Sequence, residues 1–300
     1  VIGRGGFGKV WRVRFIKTGK EFAMKEMSKV KIIQKNSISS IITERDILSK
    51  IHHPFIVNIV FSFQDEDNLY FVMDLVTGGY LRYHISVIFG LEFFHSNNII
   101  HRDIKPENLI FDFKGYLKIT DLGIAKKVNS QNINDTSGTP GYMAPEVMNG
   151  QNHSFSADYY ALGIICYELM MGIRPYYGET RNEIKEKMLS KQIIIKNHEI
   201  PEGWSNESAD FINKLIQRKP NARLGNNGIN EIKNHKWFKD FSWSDLYNMK
   251  IKSLYIPSDS NNFDVEFCSK NENISEHQKE VYDKIKASDC YKKSFKDYVY

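Results

Sequence analysis

His101–Gly123 reads HRDIKPENLIFDFKGYLKITDLG, and its centre has the pattern of a hairpin. Two apolar runs, LIFDF and YLKITD, flank Lys114 and Gly115, where the chain can reverse. With the turn placed there, residues whose numbers sum to about 229 face one another. Asn108 then stands opposite Asp121 to within a residue. Both offer oxygen at strand ends, and magnesium takes a few hard oxygen ligands from protein and the rest from phosphates and water. The pair is therefore a candidate metal site.

Upstream, Val1–Val10 reads VIGRGGFGKV and fits three phosphate-cradling loops. Gly3, Gly5 and Gly8 spell G-x-G-x-x-G; Gly3 to Lys9 spell a Walker A loop without its Ser/Thr; the whole fits G-x-G-x-x-G-x-V. The next residues discriminate between them. Trp11, Val13 and Phe15 alternate with Arg12 and Arg14, a period of two that predicts a strand. Dinucleotide and Walker A loops must instead run into a helix whose amides bind phosphate, and Val10 lacks the hydroxyl a Walker A loop offers to magnesium. A glycine loop between two antiparallel strands remains, either a phosphate cover or a plain Gly-rich hairpin turn.

Lys25 lies in the following strand, FAMKEM. In SISSIITERDILSKI, Ile41, Glu44, Leu48 and Ile51 share one helical stripe. A carboxylate on an apolar stripe needs a cation, because burying it unpaired costs several kcal/mol. Lys25 is the expected partner; the alternative is a glutamate at the exposed edge of the stripe.

Composition narrows the classes. The 300 residues are 41% apolar and 26% charged, an ordinary globular balance long enough for one large domain or two lobes. A net charge of +5 without runs of like charge gives no nucleic-acid arm. Cys166, Cys268 and Cys290 have neither disulfide-framework nor metal spacing, which points to a reducing, intracellular compartment. The longest apolar stretch, YYALGIICYELMMGI, is interrupted by Glu168 and reads as a buried core helix rather than a membrane span. The chain opens at the glycine loop without a signal peptide, and a fragment of a longer chain is expected.

Taken in order, the glycine loop, Lys25, Glu44, HRDIKPEN, DLG and GTPGYMAPE resemble a eukaryotic protein kinase catalytic domain. The resemblance is to the AGC group of serine/threonine kinases, and FQDEDNLYFVMDLVTGG is similar to its YANK branch. It implies an α+β bilobal fold: a small antiparallel β-rich N-lobe at 1–76, truncated at its N-terminus; a large, mainly helical C-lobe at 77–238; and an AGC-like C-terminal tail at 239–300. It implies ATP and Mg2+ as cofactors, protein Ser/Thr hydroxyls as acceptors, and a cytoplasmic or nuclear location. Asp103 would orient the acceptor hydroxyl and Lys105 would stabilise the transferring phosphoryl group. Lys25, held by Glu44, would grip the α- and β-phosphates, and Asn108 and Asp121 would hold the metal. Gly3, Gly5, Gly8 and Val10 would cover the nucleotide, with adenine between Ala23 and Ile110, at the backbone of Asp74 and Val76, beside gatekeeper Met73. Arg102 and Lys126 would form the pocket for an activation-loop phosphate. Asp135 stands at the usual phosphothreonine position, so a standing negative charge there and phosphorylation of Thr136 are rival expectations. Thr139 would lie in the P+1 region. Asp158 and Arg223, the latter with Glu146, would brace the large lobe. In the tail, NNFD would tether to the active site, and Phe295 and Tyr298 would anchor the terminal FKDYVY.

The chain departs from the pattern in three places. Between LRYHIS and VIFGLEFFHS roughly 16 residues are missing relative to the family, leaving a helical stub from about Val87 to Phe94 and an apparent deletion near 86–87. Such a loss could exceed typical fold stability, so a non-catalytic kinase-like binding or scaffold module is the alternative function. Tyr80 replaces a carboxylate that contacts ribose and substrate arginine, which weakens the expected preference for basic substrates and leaves it to Glu107 and Glu168. Leu122 replaces Phe in DLG and keeps its apolar role.

Overall fold

In the computed structural model the described residues are 3–4, 6–75, 85–128, 135–251, 276–288, 291, 294–295 and 298. Gly5, Val76, Tyr80 and NNFD (261–264) lie outside them, and so do the expectations placed on them. The chain divides into two units: residues 1–79, 111–115 and 256–300 form one, and 80–110 with 116–255 the other.

In the first unit, period-two sequence builds an antiparallel sheet in the order β1-β2-β3-β5-β4. Its strands are β1 (Gly3–Arg4), β2 (Gly8–Arg14), β3 (Glu21–Ser28), β4 (Ile59–Gln64) and β5 (Asn68–Asp74). The register aligns Val10, Lys25 and Phe71 in one row, and Ala23 with Met73 in another. Gly8 is required by packing: a Cβ there would lie 2.0 Å from the Glu26 carbonyl oxygen. Two helices interrupt the strands, α1 (Lys29–Gln34), capped by the Ser28 hydroxyl, and α2 (Ile38–Leu48). Ile41, Glu44, Ile47 and Leu48 are the buried residues of α2, while Ile51 lies beyond its end.

The described part of the tail packs on this unit. Its helix, Glu276–Ala287, lies against α1, and Lys286 pairs with Asp67 at 2.5 Å. Phe295 and Tyr298 are buried, at 4% and 1% exposure. The Phe295 carbonyl accepts from Gln64 at 2.7 Å, and Tyr298 stacks on Phe71 with centroids 5.6 Å apart.

The second unit is mainly helical: α3 (Ile85–Ser96), α4 (Pro145–Met148), α5 (Ser156–Met171), α6 (Arg181–Ser190), α7 (Asn206–Leu215), α8 (Ile229–Lys233) and α9 (Trp243–Tyr247). Short strands form two pairs, β6 (Ile99–Ile100) with β9 (Lys126–Lys127) and β7 (Leu109–Phe111) with β8 (Leu117–Ile119). The interrupted apolar stretch is α5. It packs closely on α7 because Gly163 has no side chain; a Cβ would meet Leu215 at 2.7 Å and Ile216 at 2.8 Å. The helix α3 is anchored along its described length: Val87, Ile88, Phe89, Leu91 and Phe94 are buried. Ser86 donates to the Leu117 carbonyl at 3.1 Å, and Phe89 meets Trp243 and Tyr247 edge-on at 5.6 and 5.4 Å. At the far side, Arg223 reaches Glu146 through two bonds of 2.7 and 3.0 Å, with both side chains buried.

Candidate active site

In the first unit Lys25 and Glu44 meet. The Lys25 ammonium lies 3.1 and 3.3 Å from the two Glu44 oxygens. Glu44 is 3% exposed and Lys25 is 22% exposed, so the ion pair is largely shielded from water on the glutamate side. β3 carries Lys25 and α2 carries Glu44. Phe71, next to Lys25 in the register, presents its ring to the ammonium at 5.8 Å. Gly3 and Gly8 lie on the paired strands β1 and β2, with Gly3 opposite Val10. No helix follows this loop; β2 does.

In the second unit the loop between β6 and β7 concentrates charge around Asp103. One carboxylate oxygen accepts from the Thr139 amide at 3.1 Å and its hydroxyl at 2.7 Å. The other lies 2.8 Å from the Lys105 ammonium and 3.1 Å from Asn108 Nδ2. Burial pushes the Asp103 carboxyl up, but hydrogen bonds from Lys105 and Thr139 outweigh it and hold it below the usual aspartate value. Lys105 also donates to Thr139 Oγ1 at 2.9 Å.

Backbone strain sets this loop. Arg102 has φ 69° and Asp121 has φ 64°, left-handed values that non-glycine residues adopt at a cost of about 1–3 kcal/mol. Asp158, at 1% exposure, holds the first of these by accepting from the amides of His101 and Arg102 at 3.0 and 2.9 Å. His95 braces it from α3, with Nε2 2.9 Å from the same carboxylate and Nδ1 2.9 Å from the Tyr159 hydroxyl. His95 sits inside the apolar run of α3 in the sequence, with nothing local to mark this task.

Asn108 and Asp121 flank the β7–β8 pair. The Thr120 amide bonds to the Asn108 carbonyl at 3.0 Å, one residue from the pairing that the turn predicts. Asn108 donates its Nδ2 to Asp103; Asp121 is exposed and accepts from the Gly123 amide at 3.2 Å. Two hard oxygen donors of this kind fit magnesium, which binds through one or two protein ligands. Among the described residues no group of three or more His, Cys, Asp or Glu could hold a metal ion.

Asp135 gathers three hydrogen bonds. Arg102 donates to it at 2.9 Å, and the Ser137 hydroxyl and amide donate at 2.6 and 3.0 Å. Partial burial raises the Asp135 carboxyl, yet the Ser137 and Arg102 bonds outweigh it and bring it to about 2. Lys126, expected beside Arg102, is exposed on β9 and has no ion pair among the described residues. Thr136 is exposed, and its carbonyl accepts from Arg181 at 3.0 Å. Nothing in the sequence singles out Ser137 or Arg181; each is an ordinary polar residue whose role exists only once the segment is folded.

Glu107 is exposed in the short turn Pro106–Asn108, between Lys105 and β7. Glu168 accepts from the Tyr142 hydroxyl at 2.7 Å and lies 3.9 Å from Arg174, a partner the sequence does not suggest.

The protein kinase domain family model matches residues 1–238. The chain is 36% identical over 288 residues to the cAMP-dependent protein kinase catalytic subunit of Dictyostelium discoideum, covering 88% of this chain and 44% of that protein. It is 36% identical over 277 residues to serine/threonine-protein kinase AtPK2/AtPK19 of Arabidopsis thaliana, covering 86% and 58%. It is 35% identical over 292 residues to serine/threonine-protein kinase gad8 of Schizosaccharomyces pombe, covering 90% and 50%. The chain thus spans about half the length of these relatives. Among the described residues no helix is long and apolar enough to cross a membrane.

Proposed function

The chain belongs to the protein kinase family, among relatives of AGC type, and from that premise we propose that it transfers the γ-phosphoryl group of ATP to serine or threonine hydroxyls of proteins. The observation that carries the proposal is the set of bonds around Asp103. One carboxylate oxygen is bound by Thr139 and the other by Lys105 and Asn108, which fixes the group for an incoming hydroxyl. Its lowered pKa makes Asp103 a weak base, so its work is to orient the hydroxyl and take the proton late. Lys105 supplies positive charge as the phosphoryl group moves, and Lys25, its carbon stem packed in the sheet and its charge matched by Glu44, binds nucleotide phosphate. Asn108 and Asp121 would hold magnesium, which when bound neutralises phosphate charge. Ala23, Met73 and Asp74 in the first unit, and Ile110 in the second, take the adenine roles that the family pattern gives them.

We assign Asp135 the role of a built-in negative charge that orders the activation segment through Arg102. It carries one charge where a phosphate would carry about 1.5 to 2. An intracellular setting suits Cys166, a buried free thiol.

The test is transfer of labelled phosphate from ATP to Ser/Thr peptides. The wild type should label them, and Asp103→Ala should reduce the rate by about 100-fold or more. Equal labelling by both would sink the assignment of Asp103; no labelling by the wild type, with nucleotide bound, would favour a binding module.

A further inference from the structure

Glu168 and Tyr142 together make a site for a cation: a carboxylate and the face of an aromatic ring on one side of the GTPGYMAPE segment. Tyr142 is placed by its own turn, with its amide bonded to the Thr139 carbonyl at 2.9 Å, so the site lies one turn along the chain from the threonine that binds Asp103. Burial, and then the bond to Glu168, raise the Tyr142 hydroxyl far above its usual pKa, so it stays a donor. Glu107 adds negative charge nearby, enough to act on the same hydroxyl.

The site already holds a cation. The Arg174 guanidinium lies 5.6 Å from the Tyr142 ring centroid, and its Nε is 3.9 Å from Glu168. Gly141 makes the room: a Cβ there would fall 2.1 Å from Arg174 Nη1 and 3.1 Å from its Cζ. Glu168 and Arg174 are each about one-third exposed, at 32% and 36%, so the pair sits at the surface where a peptide could reach it.

We propose that Arg174 is a resident occupant of this cation subsite, so that the chain does not select substrates bearing arginine there and accepts acceptor peptides that are uncharged at that position. The inference rests on the kinase reading above and names the substrate class for that same site. A substrate arginine would have to displace a guanidinium tethered to the same surface, and gains little by the exchange. Removing the tethered one frees the carboxylate and the ring together.

The experiment compares kcat/KM for a family of serine peptides in which arginine replaces alanine at each of the positions flanking the acceptor. In the wild type the Arg/Ala ratio should stay near one throughout. In Arg174→Ala it should rise about tenfold at one position, through KM rather than kcat, as expected for a surface ion pair plus a cation–π contact. Gly141→Ala should move the same ratio in the same direction, because its Cβ displaces the flexible end of Arg174 rather than backbone. Adding Glu168→Gln to Arg174→Ala should abolish the gain. A wild type that already selects arginine at a position lost with Glu168→Gln overturns the inference and leaves the kinase reading intact. So does an Arg174→Ala profile identical to the wild type. Failure of the wild type to label any peptide overturns the kinase reading, and the inference falls with it.

Discussion

Asp135 is 39% exposed, yet three hydrogen bonds from Ser137 and Arg102 hold its carboxyl at about 2. A carboxyl depressed in the folded state stabilises above its unfolded pKa, near 4, and that contribution is lost as pH falls through the folded value. The stability difference between wild type and Asp135→Ala should therefore be constant from pH 7 to 5 and shrink between about pH 4 and 2, as read by thermal unfolding in matched buffers. A difference that vanishes at neutral pH would remove the ordering role. The position of Asp135 was legible in the sequence because it counts back from GTP. Its hold on Ser137 was not, since aspartate favours a bond to the amide two residues on but its type alone does not dictate that the turn forms. The same limit hid Arg174, which meets Gly141 and Glu168 only after α5 has turned back at Gly172.

Elements carry the interactions that no single residue explains. The hairpin of β7 and β8 was readable by arithmetic, and the observed bond from Thr120 to Asn108 differs from that count by one residue, the usual latitude of a strand end. The stripe of α2 was readable too, apart from Ile51, which its period includes but the helix does not. The pairing of Arg223 with Glu146 on α4 follows the expectation drawn from the resemblance, with the guanidinium 0% exposed, while its approach to the Tyr160 ring at 4.9 Å needs the fold. Glu146→Ala leaves that charge buried without its partner, and should lower stability by about 3–5 kcal/mol, measured by denaturant unfolding. The tail segment is a second case. Tyr298→Ala empties a site floored by Phe71 and walled by Arg45, whose guanidinium lies 5.5 Å from the ring. The expected cost is about 3 kcal/mol, seen as a drop of several degrees in Tm; an unchanged Tm would mean the ring is not seated in solution.

At the scale of the molecule, the helix α3 bears on stability. Glu92 on it is paired to Lys233 and Phe89 meets two aromatic rings, so α3 is anchored within the second unit. Nucleotide binding then reports on the whole. ATP with magnesium at about 100 times its Kd should add about 2.7 kcal/mol, a rise in Tm on the order of 5 °C for a domain of this size. Asp121→Asn should remove the magnesium-dependent part of that rise. A broad melt indifferent to nucleotide would mean that the chain cannot assemble a nucleotide site.

The seat of Tyr298 on Phe71 has a consequence for how this protein handles competitors. Phe71 meets both the ring of Tyr298, at 5.6 Å, and the ammonium of Lys25, at 5.8 Å. The segment that carries Tyr298 is thus a ligand joined covalently to its own receptor, a linkage that sets local concentrations in about the millimolar range. A free peptide of the same sequence, however well it fits, would have to be supplied at millimolar concentration to take its place. A covalent cut anywhere between the helix Glu276–Ala287 and Tyr298 would lower that threshold to the peptide's own dissociation constant.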